Sequence, residues 1–343
     1  MRQRVTIRDV AVAAGVSVAT VSKVINARYG VATSTSSRVQ AVIDDLGYES
    51  SLVARGMRSR RTNVIGVVVA EFEPFSAEIL KGAAIALEDT DYALLAYTGA
   101  RQSRGAGWER RYLSQLSGTL IDGALMVTPT VVDADPGVPV VSIDPHAGPA
   151  GLPTVEADSL TGSVLAVRHL VALGHTRIGF IAGRPDLQSS ALREAGYRQA
   201  LTEAGLPVDA DLVRVGDYRR DSAHDLSAEL LSLPQPPTAI FAANDLSALG
   251  VIALAHERGL DVPGDLSVVG FDDIPDAASA VPPLTTVRQP IQAMGSAGIR
   301  MLLELMADRP VAQTHLRLPV SLVPRSSTAP PRAAGQGSST SLP

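Results

Sequence analysis

The stretch TIRDVAVAAGVSVATVSKVIN, from Thr6 to Asn26, sets hydroxyl, ammonium and amide side chains close together: Thr20, Ser22, Lys23 and Asn26 follow Ser17 within ten residues. None is a nucleophile with a base beside it, so the chemistry on offer is hydrogen bonding and charge toward a polyanion. A second set of polar groups stands where apolar runs end: Asp144, Asn244 with Asp245, and Asp272 with Asp273. Carboxylates and amides so placed can bind hydroxyls or move protons. Adjacent strand residues point to opposite sides, however, so Asp272 and Asp273 make a poor acid/base pair. No G-x-G-x-x-G follows the first apolar run, and neither a phosphate-loop G-K-[ST] nor a G-x-S-x-G nucleophile elbow occurs. The chain has no cysteine and its six histidines never fall at i, i+4, so neither a metal nor another cofactor is expected. These residues suggest recognition, and no enzyme is expected.

The elements that must hold the first set are short helices. Thr6 with Asp9 three residues on can cap a helix over roughly Ile7 to Ala14. Gly15 suits the positive φ of a tight turn, Val16 a buried turn position, and Ser17 the cap of a second helix from Val18 to about Asn26. Ala11 and Ala14 let the two helices cross closely. Val21, Val24 and Ile25 form the inward face of the second, which leaves Val18, Ala19, Ser22, Lys23 and Asn26 more outward. A third helix, roughly Ser34 to Leu46, carries Val39, Val42, Ile43 and Leu46 at helical spacing and stops at Gly47. Charge divides in the same place. Up to Thr62 there are ten Lys/Arg against four Asp/Glu, and the remainder has 20 against 31. A basic head on an acidic body points to a DNA-reading module carried by something else, with a protein-binding helical bundle as the plainer alternative.

From Asn63 onward, apolar runs of strand length alternate with helical stretches. One set is 64–70, 92–98, 122–129 and 139–144; the other is 176–183, 212–218, 238–245 and 266–273. Continuous apolar strands separated by helices indicate parallel sheets covered on both faces, and two sets indicate two lobes. Ligands bind such sheets at the carboxyl ends of the strands, so the cleft between the lobes is the expected site. The segment from Ser326, Pro/Ser/Gly/Ala-rich and without apolar period, is expected to be disordered. The start MRQRVTIRDV lacks the apolar core of a signal peptide, and no run of about 20 apolar residues occurs, so a cytoplasmic protein with no membrane partner is expected.

The motif DVAVAAGVSVATVSKVIN resembles that of the LacI/GalR family of bacterial repressors, and the likeness runs over nearly the whole chain. It implies an α/β fold class in which a small all-α helix-turn-helix domain precedes a two-lobed, periplasmic-binding-protein-like core of doubly wound parallel sheets. The domains become 1–49 for the head, 50–62 for a hinge helix and linker, 63–325 for the effector-binding and dimerisation core, and 326–343 for the tail. Within the core, one lobe takes about 63–158 and 288–319 and the other about 159–287 and 320–325. In the family the two residues after the capping serine read base edges, which assigns that role to Val18 and Ala19. Both are apolar here and can touch thymine methyls without bidentate hydrogen bonds. Base readout then falls to Lys23, where the family more often has Arg; Lys23 serves equally as a phosphate contact. Thr6, Thr20, Ser22 and Asn26 are phosphate contacts, or caps and solvated polar groups. In the hinge segment SLVARGMRSRRTN, Met57 stands where the family usually has a Leu wedge for the minor groove, and Arg55 is among the arginines that supply charge.

The core resembles the family in the same way. SSALREAGYRQAL places a sugar-holding arginine on Arg193 with Ser189 beside it, FAANDLSALG implicates Asn244, and VVGFDDIPDAASAVPPLTTVRQP implicates Asp272. SIDP puts Asp144 in the cleft; Tyr218 of GDYR and Phe75 of EPFSAEILKG are aromatics for the faces of a sugar ring. Carboxylates and amides exchange hydrogen bonds with vicinal hydroxyls, and aromatic faces cover C–H surface. Plainer roles exist: Arg193 as an ion pair between lobes, Asp144 and Asp272 as turn caps, Phe75 and Tyr218 as core. The resulting expectation is a homodimeric repressor on an approximately palindromic operator, controlled by a mono- or oligosaccharide in the cleft. The tail lacks the leucine-heptad helix that makes some relatives tetramers. The alternatives are the same architecture with a purine or other non-sugar corepressor, and a transport-type solute-binding protein, which would need a signal peptide and no DNA head.

Overall fold

A computed structural model describes residues 5–25, 29–48, 61–99, 107–130, 137–148 and 151–332. The candidates Asn26, Arg55 and Met57 lie outside the described residues. The chain divides into two compact units, with the boundary between Thr62 and Asn63.

In the head, α1 spans Ile7–Ala14, α2 Val18–Ile25 and α3 Thr33–Leu46. Both the N–H and the hydroxyl of Thr6 donate to the Asp9 carboxylate at 2.7 Å, the reciprocal half of a capping box. Those bonds hold the exposed Asp9 carboxyl below its usual range. Gly15 takes φ 64°, and the Val16 N–H then closes on the Ala11 carbonyl at 3.0 Å, which ends α1. The Ser17 Oγ accepts from the Thr20 N–H at 3.1 Å and so caps α2. Val10, Ala11, Ala14, Val21 and Val39 are buried together, where the three helices meet.

The core contains two sheets of the same design. One comprises β1 (Val64–Val69), β2 (Ala93–Thr98), β3 (Gly123–Val127), β4 (Val140–Ile143), β5 (Thr154–Ala157) and β11 (His315–Leu318), ordered β11-β5-β4-β3-β1-β2 and parallel throughout. The other comprises β6 (Ile178–Ala182), β7 (Val213–Val215), β8 (Ala239–Ala242), β9 (Ser267–Asp272), β10 (Thr285–Arg288) and β12 (Ser321–Val323), ordered β12-β10-β9-β8-β6-β7. Only the β10–β12 pairing in that sheet is antiparallel. β1, β3, β4, β6, β8 and β9 are buried along their whole length, as continuous apolar runs covered by helices on both faces require. The strand order reverses at β1 in one lobe and at β6 in the other, and the loops after these strands are therefore the natural ligand sites.

The chain passes from the first lobe to the second after β5, returns after β10 through the helix Ile291–Met306 to β11, and passes again to β12. The short strands β5, β10, β11 and β12 complete the two sheets beyond the eight apolar runs read from the sequence. The expected start of disorder at Ser326 needs correction, because Ser326 to Arg332 lie on the second lobe. The buried Ser327 hydroxyl donates to the Val268 carbonyl at 2.6 Å and accepts from the Thr285 N–H at 2.8 Å. His169 bonds Thr328 at 2.9 Å, and His175 bonds the Ala329 carbonyl at the same distance. No helix among the described residues is long and apolar enough to cross a membrane.

Candidate functional site

A cavity of about 480 Å³ opens between the carboxyl ends of the two sheets. Phe75, Asp144, Ser189, Arg193, Tyr218, Asn244 and Asp272 all line it. Phe75 comes from the first turn of the helix Pro74–Leu87 after β1 and Asp144 from the loop after β4 of one lobe, and the other five from the ends of β6 to β9 and the elements that follow them in the second.

Arg193 is the fixed point. It lies on the helix Gln188–Glu203 at 3 % exposure, with its guanidinium 3.9 Å from the Phe271 ring centroid and 5.7 Å from that of Tyr218. Its Nη1 donates to the Ala243 carbonyl and stands 3.5 Å from Asp272 Oδ1. These closest partners all belong to the second lobe, and the Arg193 charge also reaches Asp144 on the first. Asp272 also accepts from Gln289 Nε2 at 2.6 Å. Burial pushes its carboxyl up to about 7, against the opposing pull of Arg193. The neighbouring Asp273, just past β9 at φ 61°, turns away from Arg193, to Arg288 at 2.6 Å and Arg325 at 2.5 Å.

Asp144 sits at φ 50° at the end of β4, and burial raises its carboxyl as well, with Arg193 again opposing. Glu73, which also faces the cavity, is raised by burial although it accepts from the Ser76 N–H at 3.0 Å and the Phe75 N–H at 3.1 Å. Asn244 has a double duty. Its side-chain oxygen caps the helix Asp245–Glu257 through the Ser247 N–H at 2.9 Å, and its Nδ2 donates to the Tyr218 carbonyl at 3.1 Å. Tyr218 takes φ 69°, and its ring lies where a Cβ on Gly183 would fall, 2.0 Å from the nearest ring carbon, so only glycine admits it. The phenol oxygen is buried beside Ser189 and Ser190 without a hydrogen bond of good geometry among the described residues. Phe75 is half-buried and also packs on the first lobe's core.

The sequence reading missed Trp108, Thr130, His146 and Arg184 in this lining. The chain holds one tryptophan, which composition flags, but nothing in its spacing says which loops reach the cleft.

In the head, Val18 is 36 % exposed and Ala19 and Lys23 are exposed, as an outward face requires. The Lys23 ammonium lies 3.7 Å from where a Cβ on Gly30 would stand, toward the turn between α2 and α3. The hydroxyls of Thr6 and Thr20 are engaged in the caps of α1 and α2, the latter 2.9 Å from Ser17 Oγ, and Ser22 is half-buried. Tyr29, fully exposed just after α2, is a polar aromatic that the sequence reading passed over.

Residues 6–51 match the family described as bacterial regulatory proteins, lacI family, and residues 167–328 match a periplasmic binding protein-like domain. The ribose operon repressor of Escherichia coli (strain K12) is 35 % identical over 333 residues, covering 94 % of this chain and 99 % of that protein. The chain belongs to the LacI family. Two solved structures of relatives extend the likeness to the fold. A complex of the transcriptional regulator CelR with cellobiose has a TM-score of 0.71 at 34 % identity, covering 94 % of this chain and all of that one. A lac repressor dimer bound to operator and the anti-inducer ONPF has a TM-score of 0.80 at 30 % identity, covering 95 % of this chain and all of that one. The two-lobed core and the three-helix head of this LacI-family chain are thus the architecture of a DNA-binding regulator.

Proposed function

We propose that the protein is a homodimeric, cytoplasmic transcriptional repressor without catalytic activity, which binds an approximately palindromic operator and is released from it by a small sugar. One observation carries the effector half of this reading: seven side chains of the kinds that exchange hydrogen bonds with vicinal hydroxyls or cover C–H faces line one cavity. Relatives named for ribose and solved with cellobiose support the same chemistry. The electrostatics narrow it. Asp144, Asp272 and Glu73 each resist ionisation through burial, and the buried cation among them, Arg193, is already bonded to Ala243 and Asp272. An uncharged polyol both donates to and accepts from such carboxyls, which need no counter-charge from the ligand.

In the head, Val18 and Ala19 meet base edges by apolar contact, Lys23 donates to a base or a phosphate, and Thr6, Thr20, Ser22 and Asn26 hold the backbone. Arg55 and Met57 act in the hinge, as charge and as a minor-groove wedge. Two heads on a two-fold dimer require an operator with matching symmetry. The sugar acts by its differential affinity for two arrangements of the lobes, which shifts the population away from the DNA-competent form. The test is fluorescence anisotropy of the full chain on palindromic and random duplexes at moderate salt, with and without sugars that raise its melting temperature. A preference for some palindrome, weakened by such a sugar, is the expected result. Equal affinity for all duplexes would refute the reading, and tighter binding with sugar would reverse its sign.

A further inference from the structure

Two clusters stand out among the polar groups that line the cavity. Arg193, Asp272, Asp144, Asn244, Ser189 and Tyr218 are linked to one another and suffice to address one ring. A hexose takes about 190 Å³ at the packing density of organic crystals, and a disaccharide about 360 Å³. The cavity measures about 480 Å³, which leaves space for a second ring after the first is seated.

The second cluster, around Trp108, His146 and Arg184, also lines the cavity and is held by its own bonds. Glu109, itself buried, accepts from the Thr130 N–H at 2.6 Å and from its hydroxyl at 2.9 Å, while the Gly107 N–H donates to Thr130 Oγ1 at 3.1 Å. These bonds pin the start of the helix Trp108–Leu116 and with it the indole. Trp108 is 7 % exposed, stands edge-on to Tyr112 at 5.7 Å between centroids, and rests over Gly99, where a Cβ would come within 2.4 Å of the ring. It contributes to the cavity wall. His146 is joined to this wall through its N–H to the Pro129 carbonyl at 3.0 Å. Its Nδ1 lies 3.1 Å from Asp186, which in turn holds Arg184 at 2.7 Å. A neutral imidazole that donates from Nδ1 keeps Nε2 as an acceptor. Burial lowers the His146 pKa and so favours that neutral form. A fixed indole with an imidazole acceptor and a guanidinium on the same cavity offers a sugar ring both apolar surface and polar partners.

We propose that the cavity takes an uncharged two-ring glycoside of disaccharide size, with its second ring against Trp108 and beside His146 and Arg184. This rests on the sugar-effector reading above and specifies its ligand. The chain's single tryptophan makes the test direct, because any change in protein indole emission on binding comes from this wall. The full-length protein is titrated with pentoses, hexoses and 1,4- and 1,6-linked hexose disaccharides, followed by calorimetry and by tryptophan emission.

At least one disaccharide is expected to bind tenfold or more tightly than either of its component monosaccharides, and to shift the emission. Trp108→Ala should remove that advantage while changing monosaccharide affinity less than threefold. Trp108→Phe, which keeps an aromatic face and guards against misfolding, should retain part of it. A monosaccharide that binds as tightly as every disaccharide, or a Trp108→Ala variant that loses both kinds of ligand equally, overturns the second-ring site and leaves the sugar reading standing. Binding by no member of the panel overturns both.

Discussion

Replacing Arg193 by alanine should steepen the fall of core stability with pH above about pH 7, where the Asp272 contribution of the parent has levelled off. The guanidinium is nearly inaccessible and lies 3.5 Å from Asp272, whose carboxyl burial raises from 3.8 to about 7. A carboxyl whose folded-state pKa exceeds its unfolded value contributes most stability below the unfolded value. That contribution is lost as pH rises toward the folded-state pKa. For Asp272 in the parent, the loss runs from about pH 4 to pH 7 and then levels off. Without the guanidinium the folded-state value moves higher, and stability keeps falling above pH 7 by about 1.4 kcal/mol per pH unit. Arg193 also opposes the rise at Asp144, so a slope of up to about 2.8 kcal/mol per unit follows if both carboxyls respond. The total cost near pH 8 is expected at about 3–5 kcal/mol, typical of removing one partner of a buried pair, with part of it recovered at pH 6 by proton uptake. Urea unfolding of the full chain at half-unit steps from pH 6 to 8.5, followed by circular dichroism, gives both quantities. Adding Asp272→Asn should remove the Asp272 share of the excess slope, about 1.4 kcal/mol per pH unit. A parent–variant difference that stays constant within about 0.5 kcal/mol over this range would show that no buried carboxyl depends on Arg193, and the electrostatic account of the site would fall.

Gly183→Ala puts a methyl group into the Tyr218 ring, 2.0 Å from its nearest carbon, and should weaken the sugar by tenfold or more in calorimetry while operator affinity in anisotropy stays within twofold. Ser327→Ala strips the Thr285 N–H and the Val268 carbonyl of a buried partner and should cost about 1–3 kcal/mol in urea unfolding; an unchanged midpoint would mean that the strap Ser326–Arg332 does not hold the second lobe. Met57→Gly should weaken operator binding more than tenfold and leave sugar binding intact, and a normal operator affinity would remove the wedge role from Met57.

The parts of this fold that were legible in the sequence share a physical cause. β1, β3, β6, β8 and β9 are buried on both faces, so each is a continuous apolar run, and the head announces itself through Thr6, Asp9, Gly15 and Ser17, whose chemistry is local. The strands β10, TTVR, and β11, HLRL, are four residues long and mix polar with apolar side chains, so they carry no such run. The strap was misjudged for a related reason. Its composition is that of a linker, but the Ser327 hydroxyl satisfies one backbone group on β9 and one on β10, a long-range match that no window of sequence contains. At the site, motif likeness singled out side chains that line the cavity without revealing their partners. That Asn244 caps a helix while facing the cleft, and that Arg193 binds within its own lobe, are facts of packing. Trp108 and His146 escaped because their helix start and loop reach the cleft only through Glu109, Thr130 and Pro129.

The contacts that already join the lobes constrain how an effector can work. The Gln188 N–H donates to the His146 carbonyl at 2.8 Å, His146 meets Asp186 at 3.1 Å, and Arg219 meets Glu71 at 2.6 Å. Exposed ion pairs such as Arg219–Glu71 contribute about 0–1 kcal/mol each. Moving a two-state equilibrium from 1:99 to 99:1 takes about 5.5 kcal/mol of differential binding. The rim contacts fall well short of that, so they can orient closure without deciding it. A ligand that bonds only to Arg193, Asp272 and Asn244 sees the same second lobe in both arrangements and shifts nothing, however tightly it binds. The difference must come from bonds that span the cleft, from these residues to Asp144, Phe75 and the wall at His146 and Trp108 on the other lobe. At about 0.5–1.5 kcal/mol for each hydrogen bond between uncharged groups, about four good bonds to the first lobe are needed to supply the required amount. An effector molecule too small to touch both walls can therefore occupy the site without releasing the operator, and ligand size is the property on which the response should turn.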